Sequence, residues 1–562
     1  MKLFKRLMAV MFALTLTLGM GTRVYAEGSE TAEGPYTITI NKDTSDKVAH
    51  TYDAYQIFKG DLKEEGEGTS KTTVLSNIQW GDNVTPATLI TNLKKIDAFK
   101  SLADDASAAT VAKAISDANL AKDSDGAKAL ADAIAASVTS PKKTAEIAAD
   151  ATSGTITGLP AGYYLVKDTA AVTGEGASTR YILEVVSDVT VTEKASIPTV
   201  IKKVKEKNDT TPSETGWLDA ADYDIGDKID YKLEGTLPSK FADFKKYTVY
   251  KFTDTLSKGL TYVDGSANVH LNTEDGTDIT DLFDIAVNGQ TLTVTLKESK
   301  DLRADNRFSA TSKIIVLYKA ELNNKAEIGS TGNPNEVYLE FSNNPNWNGE
   351  GTPDNGTTPE DKVIVFTYEI KALKVEPTSD AAIDKTTYDA LPDAEKADYV
   401  KVGDKYQKTQ ALTGAGFTLF KKVGSDYVAV SDEVKTDSTF EFKGTDAGEY
   451  KLVETTVPGG YNKADDIEIK VEATYDTDSA DPKLMTLSVT PAAAGFTVTT
   501  TPIEGDAEHI TTDGIITGKI LNQKGSTLPS TGGIGTTIFY VLGGLLVAGA
   551  GIVLVARKKA SE

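Results

Sequence analysis

The sequence predicts a mainly β, multidomain chain with one helical insertion, and three observations carry that reading. Short runs alternate apolar and polar residues at the period of a half-buried strand, as in Tyr36-Thr-Ile-Thr-Ile40 and Leu292-Thr-Val-Thr-Leu-Lys297, with Gly, Asn and Asp between them. One stretch, Pro86 to Val138, is instead rich in Ala, Leu, Lys and Asp, with apolar residues at helical spacing such as Ala112, Ile115 and Ala118. The length, 562 residues, implies about three domains once both ends are set aside.

The ends come first. Met1 to Ala26 carries Lys2, Lys5 and Arg6, an apolar run Leu7–Leu18, and the small-x-small site Val24-Tyr25-Ala26. That order is a secretory signal peptide, so residues 1–26 are excluded from the fold. The other end reads Leu528-Pro529-Ser530-Thr531-Gly532-Gly533 (528–533), then the apolar run 534–556, then a basic tail at 557–562 beginning Arg557-Lys558-Lys559. The run is long enough to span a bilayer as a helix, and the tail favours the cytoplasmic side. A plain membrane anchor would leave the LPSTGG unexplained. The order matches the sorting signal read by sortases, cysteine transpeptidases that cleave between Thr531 and Gly532 and keep Thr531 as an acyl-enzyme.

Between the ends, composition divides the chain into modules of about 33–194, 195–362 and 363–525. Module one holds the helical stretch, read as helices packed on one face of its sheet. Ser196-Ile197-Pro198-Thr199 follows the strand-like run Tyr181–Thr192 and begins module two. The turn-rich loop Asn343–Gly356 precedes module three, whose strands resume at Val363-Ile-Val-Phe-Thr-Tyr368.

Charge and cysteine usage exclude several functions. The formal net charge is −23, and removing both ends takes seven basic residues but one acidic one. Such a surface repels nucleic acid and anionic lipid, so nucleic-acid binding is excluded and membrane contact is limited to the C-terminal segment in transit. With no cysteine, disulfides, zinc–thiolate sites and cysteine nucleophiles are ruled out, and covalent reinforcement must use another chemistry. His50, His270 and His509 are the only histidines, each expected to be a surface or strand residue rather than a base. Asp/Asn-rich loops without EF-hand spacing are read as solvated, and no metal or cofactor is expected.

Modules two and three resemble those of backbone pilins, the shaft subunits of sortase-assembled pili. In module two the similarity lies in Pro198-Thr-Val-Ile-Lys202-Lys-Val, Thr253-Asp-Thr-Leu-Ser-Lys-Gly-Leu-Thr-Tyr262 and Asn333-Pro-Asn-Glu-Val-Tyr-Leu-Glu-Phe-Ser-Asn343, which resemble a fimbrial isopeptide-forming domain. In module three, Leu373-Lys374-Val375, Gly448-Glu-Tyr-Lys-Leu-Val-Glu454-Thr-Thr-Val-Pro-Gly-Gly-Tyr461 and Ile520-Leu-Asn522 resemble a Cna protein B-type domain with its E-box. The resemblance implies tandem Ig-like β-sandwiches in which a core lysine attacks an asparagine side chain beside a carboxylic acid and releases ammonia. Burial would lower the lysine pKa and raise that of the acid, as such an attack requires.

By position, module two would use Lys202, Asp254 and Asn343. Lys203 is the rival for Lys202, which shares a face with Val200 and Val204, and Glu234 is the rival acid. Module three would use Lys374, Glu454 and Asn522, with Lys371 the weaker alternative. Module one has Lys42 and a degenerate E-box, Tyr163-Tyr-Leu-Val-Lys-Asp168, but its last strand offers only Asp188, so no crosslink is expected there.

The resemblance also implies a pilin-motif lysine that attacks the next subunit's acyl-enzyme. Val189-Thr-Val-Thr-Glu-Lys194 keeps the family's spacing but replaces its Tyr-Pro pair, making Lys194 the candidate. The implied partners are a pilus-specific and a housekeeping sortase, identical subunits, minor and tip pilins, and peptidoglycan. The chain would be a structural pilus subunit on the surface of a Gram-positive bacterium, supporting adhesion, and not an enzyme with an external substrate. A monomeric wall-anchored adhesin with stalk domains is the alternative. A glycan-active surface enzyme would need a large domain with a polar cleft and a nucleophile motif, which no stretch offers.

Overall fold

The computed structural model describes residues 34–42, 46–65, 72–120, 125–169, 180–192, 197–209, 213–490, 495–525, 542–547 and 550. The leader 1–26, Lys194, the residues Leu528, Pro529, Thr531 and Gly532, and the basic tail lie outside the described residues. Within the apolar run 534–556, residues 542–547 are helical, and no helix among the described residues is long and apolar enough to cross a membrane.

Module one pairs Tyr36–Asn41 antiparallel with Ser153–Leu159 and parallel with Val189–Thr192. A second sheet centres on His50–Glu65, flanked by Thr72–Trp80 and Gly162–Asp168, with Arg180–Val185 at one edge. The helices Pro86–Leu93, Ala108–Asp117 and Asp125–Ala135 fall where helical spacing predicts them. Pro86 opens the first at a position needing no amide donor, and Ser107 caps the second by accepting from Thr110 N at 3.2 Å. Leu89, Leu93, Val111 and Leu130 of these helices bury against Tyr55, Phe58 and Leu165 of the sheet.

Module two is a two-sheet sandwich. One sheet runs in the order Ser213–Leu218, Val200–Asn208, Lys228–Thr236, Lys313–Leu322, Asn268–Leu271, and Thr277–Asp278. The facing sheet has Tyr250–Leu256 beside Asn333–Ser342 at its centre, with Asp361–Phe366 next along. Strand Lys228–Thr236 shows why the alternating pattern works: Ile229, Tyr231 and Leu233 are buried while their neighbours are not. Module three is also a sandwich, and its first strand, Tyr368–Pro377, lies parallel to its last, Ile515–Leu521, with Lys374 opposite Ile520.

The boundary between these two modules differs from the sequence expectation. Val363–Phe366 was expected to open module three, but Asp361–Phe366 pairs with Asn333–Ser342 and Ala220–Asp222 in module two's sheet. Both faces of that strand are buried. Val363 and Val365 enter module two's core, while Ile364 and Phe366 enter module three's, where Phe366 stacks on Tyr475 at 5.2 Å. A strand buried on both faces reads as a continuous apolar run and does not reveal which core it serves.

Ionic contacts reinforce this junction. Lys421 of module three is buried, and its Nζ donates to Asp209 at 2.9 Å, Asp224 at 2.6 Å and Asp446 at 2.7 Å. Burial alone would lower the lysine pKa, but Asp446 and Asp224 carry it above the ordinary lysine range. Asp222 Oδ2 accepts from Ala447 N at 2.6 Å. Gly444 adopts φ +77 where a Cβ would meet the Ile225 side chain at 2.4 Å, so only glycine lets the two surfaces close.

Candidate functional site: two buried lysine–acid–amide clusters

Lys374 lies on the first strand of module three, where alternation turns it into the sandwich; its side chain is fully buried. Because first and last strands are parallel neighbours, Asn522, just beyond the last strand, comes beside it. Lys374 Nζ donates to Asn522 Oδ1 at 2.5 Å and lies 3.0 Å from Glu454 Oε1. Asn522 Nδ2 in turn donates to Glu454, at 2.9 Å to Oε1 and 3.3 Å to Oε2. Glu454 is fixed by Ala464 N at 2.7 Å, and Phe417 lies 5.2 Å from the lysine nitrogen. Burial pushes the Lys374 pKa down, against the pull of Glu454, which favours a neutral amine. The alternative Lys371 points outward and pairs with Glu441 at 2.8 Å.

In module two the structure brings Lys202 and Asp254 together but not Asn343. Lys202 and Asp254 are fully buried and hydrogen-bonded. Burial lowers the lysine pKa and raises that of the aspartic acid, each against their mutual attraction, so the pair is pushed toward its uncharged form. Lys203 lies on the opposite face, 2.6 Å from Asp219, and Glu234 pairs outside the core with Lys313 at 2.6 Å.

The amide at this cluster is Asn335. It is fully buried, and its Nδ2 donates to Tyr318 Oη at 2.7 Å. Tyr318 Oη also accepts from Lys202 Nζ at 3.0 Å and donates to Asp254 Oδ1 at 3.0 Å. Strand register places Asn343 away from this cluster. Asp254 pairs with Val337, and Leu256 with Asn335, whereas Phe341 is opposite Tyr250 at the far end. Asn343 lies six positions beyond Val337, about 20 Å along the strand direction. Asn335 and Asn343 have the same parity as the core residues Val337, Leu339 and Phe341, so alternation alone leaves both open. The register with the aspartate's strand decides between them. Neither Tyr318 nor Asn335 was singled out from sequence.

Module one holds a different buried cluster. Lys42 Nζ donates to Val48 O at 2.6 Å and Ala149 O at 2.9 Å and lies 3.8 Å from Asp46. His50 joins Asp46 at 3.0 Å and Asp168 at 2.7 Å. His50 is therefore a strand residue, as expected, but not a surface one. Asp188 stands apart, accepting from Thr37 N at 2.9 Å. His270 bonds Asn268 at 2.8 Å, and His509 bonds Asp506 at 2.8 Å. Asp209, Asp224 and Asp227 form the one acidic group of cation-binding spacing found among the described residues, and Lys421 already supplies a cation to two of them.

Comparison with known proteins places these clusters in context. Residues 225–345 match the family model for the Gram-positive pilin backbone subunit 2, Cna-B-like domain. Residues 398–483 match a prealbumin-like fold domain, and 520–562 the LPXTG cell wall anchor motif. The trypsin-resistant surface T6 protein of Streptococcus pyogenes is 27% identical over 398 residues, 65% of this chain and 70% of that protein. Platelet adherence protein A of Streptococcus gordonii is 32% identical over 164 residues, 28% of this chain and 4% of its own length. Among solved structures, the T6 backbone pilin of S. pyogenes aligns over 88% of this chain and 96% of its own, at 18% identity and TM-score 0.43. The full-length major pilin SpaD of Corynebacterium diphtheriae aligns over 89% and 100%, at 16% identity and TM-score 0.43.

Proposed function

We propose, from the premise that this chain is a wall-anchored backbone pilin of a Gram-positive bacterium, that its modules two and three each staple themselves with a lysine–asparagine isopeptide bond. The carrying observation is Lys374 Nζ at 2.5 Å from the Asn522 side chain, with Glu454 touching both, in a fully buried setting. A neutral Lys374 amine attacks Asn522 Cγ, and Glu454 passes the displaced proton to Nδ2, which departs as ammonia. Folding supplies the orientation from which most of the acceleration derives. Module two forms the corresponding bond between Lys202 and Asn335, beside Asp254.

Between subunits, a sortase joins Thr531 of one copy to a lysine of the next, for which Lys194 is our candidate. A pilus-specific sortase performs that step and a housekeeping sortase the final transfer to peptidoglycan, with minor or tip pilins completing the fibre. Tension then enters at Lys194 and leaves at Thr531. Both stapled modules lie within that path, and module one lies outside it. This reading also accounts for a Lys42 cluster whose described contacts are to Val48, Ala149 and Asp46 and not to an asparagine.

The test is intact mass. Purified residues 27–531 are expected about 34 Da lighter than calculated, two ammonia losses of roughly 17 Da each. Asn335→Ala and Asn522→Ala each return one, while Asn343→Ala returns none. A full calculated mass for the wild type removes the crosslink reading.

A further inference from the structure

The two clusters differ in one respect. In module three the carboxylate of Glu454 touches both lysine nitrogen and amide nitrogen directly. In module two the acid is an aspartate, one methylene shorter, and its hydrogen-bonded link to the Asn335 amide runs through Tyr318. The Tyr318 hydroxyl lies 3.0 Å from Lys202 Nζ, 3.0 Å from Asp254 Oδ1 and 2.7 Å from Asn335 Nδ2. It therefore touches the nucleophile, the acid and the leaving group at once. Its ring is locked by stacking on Tyr231 at 5.2 Å and an interplanar angle of 12°, and the side chain is buried.

We propose that Tyr318 is a catalytic residue of the module two crosslink, relaying the proton from the Lys202 amine to the departing Asn335 amide nitrogen. The inference rests on the crosslink reading above. As the Nζ–Cγ bond forms, the proton leaving Nζ passes to the phenol oxygen, and the phenol's own proton turns from Asp254 Oδ1 to the amide nitrogen Nδ2, which has become basic in the tetrahedral intermediate. The Cγ–Nδ2 bond then breaks and ammonia leaves. Lysine amine plus asparagine amide become a secondary amide plus ammonia, and Tyr318 ends with one proton, as it began. Asp254 accepts the hydroxyl's hydrogen bond in the resting cluster and stabilises the positive charge that develops on the phenol oxygen as it takes up the lysine proton. Burial keeps the phenol protonated well beyond its ordinary range, so the relay has a proton to give at neutral pH. Positioned proton transfer of this kind contributes about 10²–10⁴-fold to rate.

The experiment follows ammonia loss in the mature chain, isolated unfolded and refolded by dilution, with peptide mapping to assign each 17 Da change to its module. Tyr318→Phe keeps the stacked ring and removes the relay. Module two crosslinking is expected to slow by about 10²–10⁴-fold while module three keeps its wild-type rate. Asn335→Ala, also uncrosslinked, gives the melting temperature of a folded but unstapled module two, against which Tyr318→Phe is compared. Should Tyr318→Phe melt below that reference, a fluorinated tyrosine of lower phenol pKa at position 318 decides the matter through an altered crosslinking rate. Wild-type kinetics in Tyr318→Phe, or an unchanged rate with the fluorinated ring, overturns the relay. Absence of any Lys202–Asn335 linkage in the wild type overturns the crosslink reading itself, a separate outcome.

Discussion

His50 is clamped between two buried carboxylates, Asp46 and Asp168, with Lys42 beyond Asp46 and the Tyr52 ring 5.8 Å away. Burial alone would lower its pKa, but hydrogen bonds and charge from Asp168 and Asp46 carry it up to about 10. The folded state then holds the proton more tightly than the unfolded state does. The stabilisation is full below about pH 6.5 and is lost as pH climbs toward about 10. Calorimetry of the mature chain is expected to show the module one transition falling across that window, by an amount worth a few kcal/mol. His50→Gln should flatten the dependence, and an unchanged pH profile would refute the role. Sequence did not reveal this cluster, because Lys42, His50 and Asp168 belong to three segments that meet only in the fold. Lys374, Glu454 and Asn522 were legible because local motifs carry them. Asn335 was not, since its parity matches that of Asn343 and only register separates the two.

At the scale of elements, alternation located strands well and helical spacing located the insertion. The strand Asp361–Phe366 defeated that method because its two faces serve different cores. A consequence is measurable. Phe366→Ala removes a fully buried ring stacked on Tyr475, a change that ordinarily costs about 3–5 kcal/mol. Although Phe366 pairs within module two's sheet, the loss is expected mainly in module three. In a chain lacking both staples (Asn335→Ala, Asn522→Ala), denaturant should unfold modules two and three in one transition. Two well-separated transitions would show that the strand does not couple them. Lys421 adds to the same coupling, since removing one partner of a buried ionic cluster leaves uncompensated carboxylates behind.

For the whole molecule, the proposed staples fix how it lengthens under load. Pulled between positions 194 and 531, the wild type is expected to show no long unfolding step. Asn522→Ala frees the 148 residues between the crosslinked positions, about 490–530 Å of contour. Asn335→Ala adds a separate step, while Asn343→Ala leaves the trace unchanged. A long step in the fully crosslinked wild type would sink the assignment. The parallel pairing of Tyr368–Pro377 with Ile515–Leu521 also sets a timetable for biogenesis. An exported chain threads its pore amino end first and unfolded, so Lys374 waits outside while most of its module is still being delivered. Its partner emerges only with Asn522, six residues before the sorting motif begins. No branched, unthreadable loop ever meets the translocon, and the proposed staple of module three becomes possible just as the chain presents the signal for its own attachment.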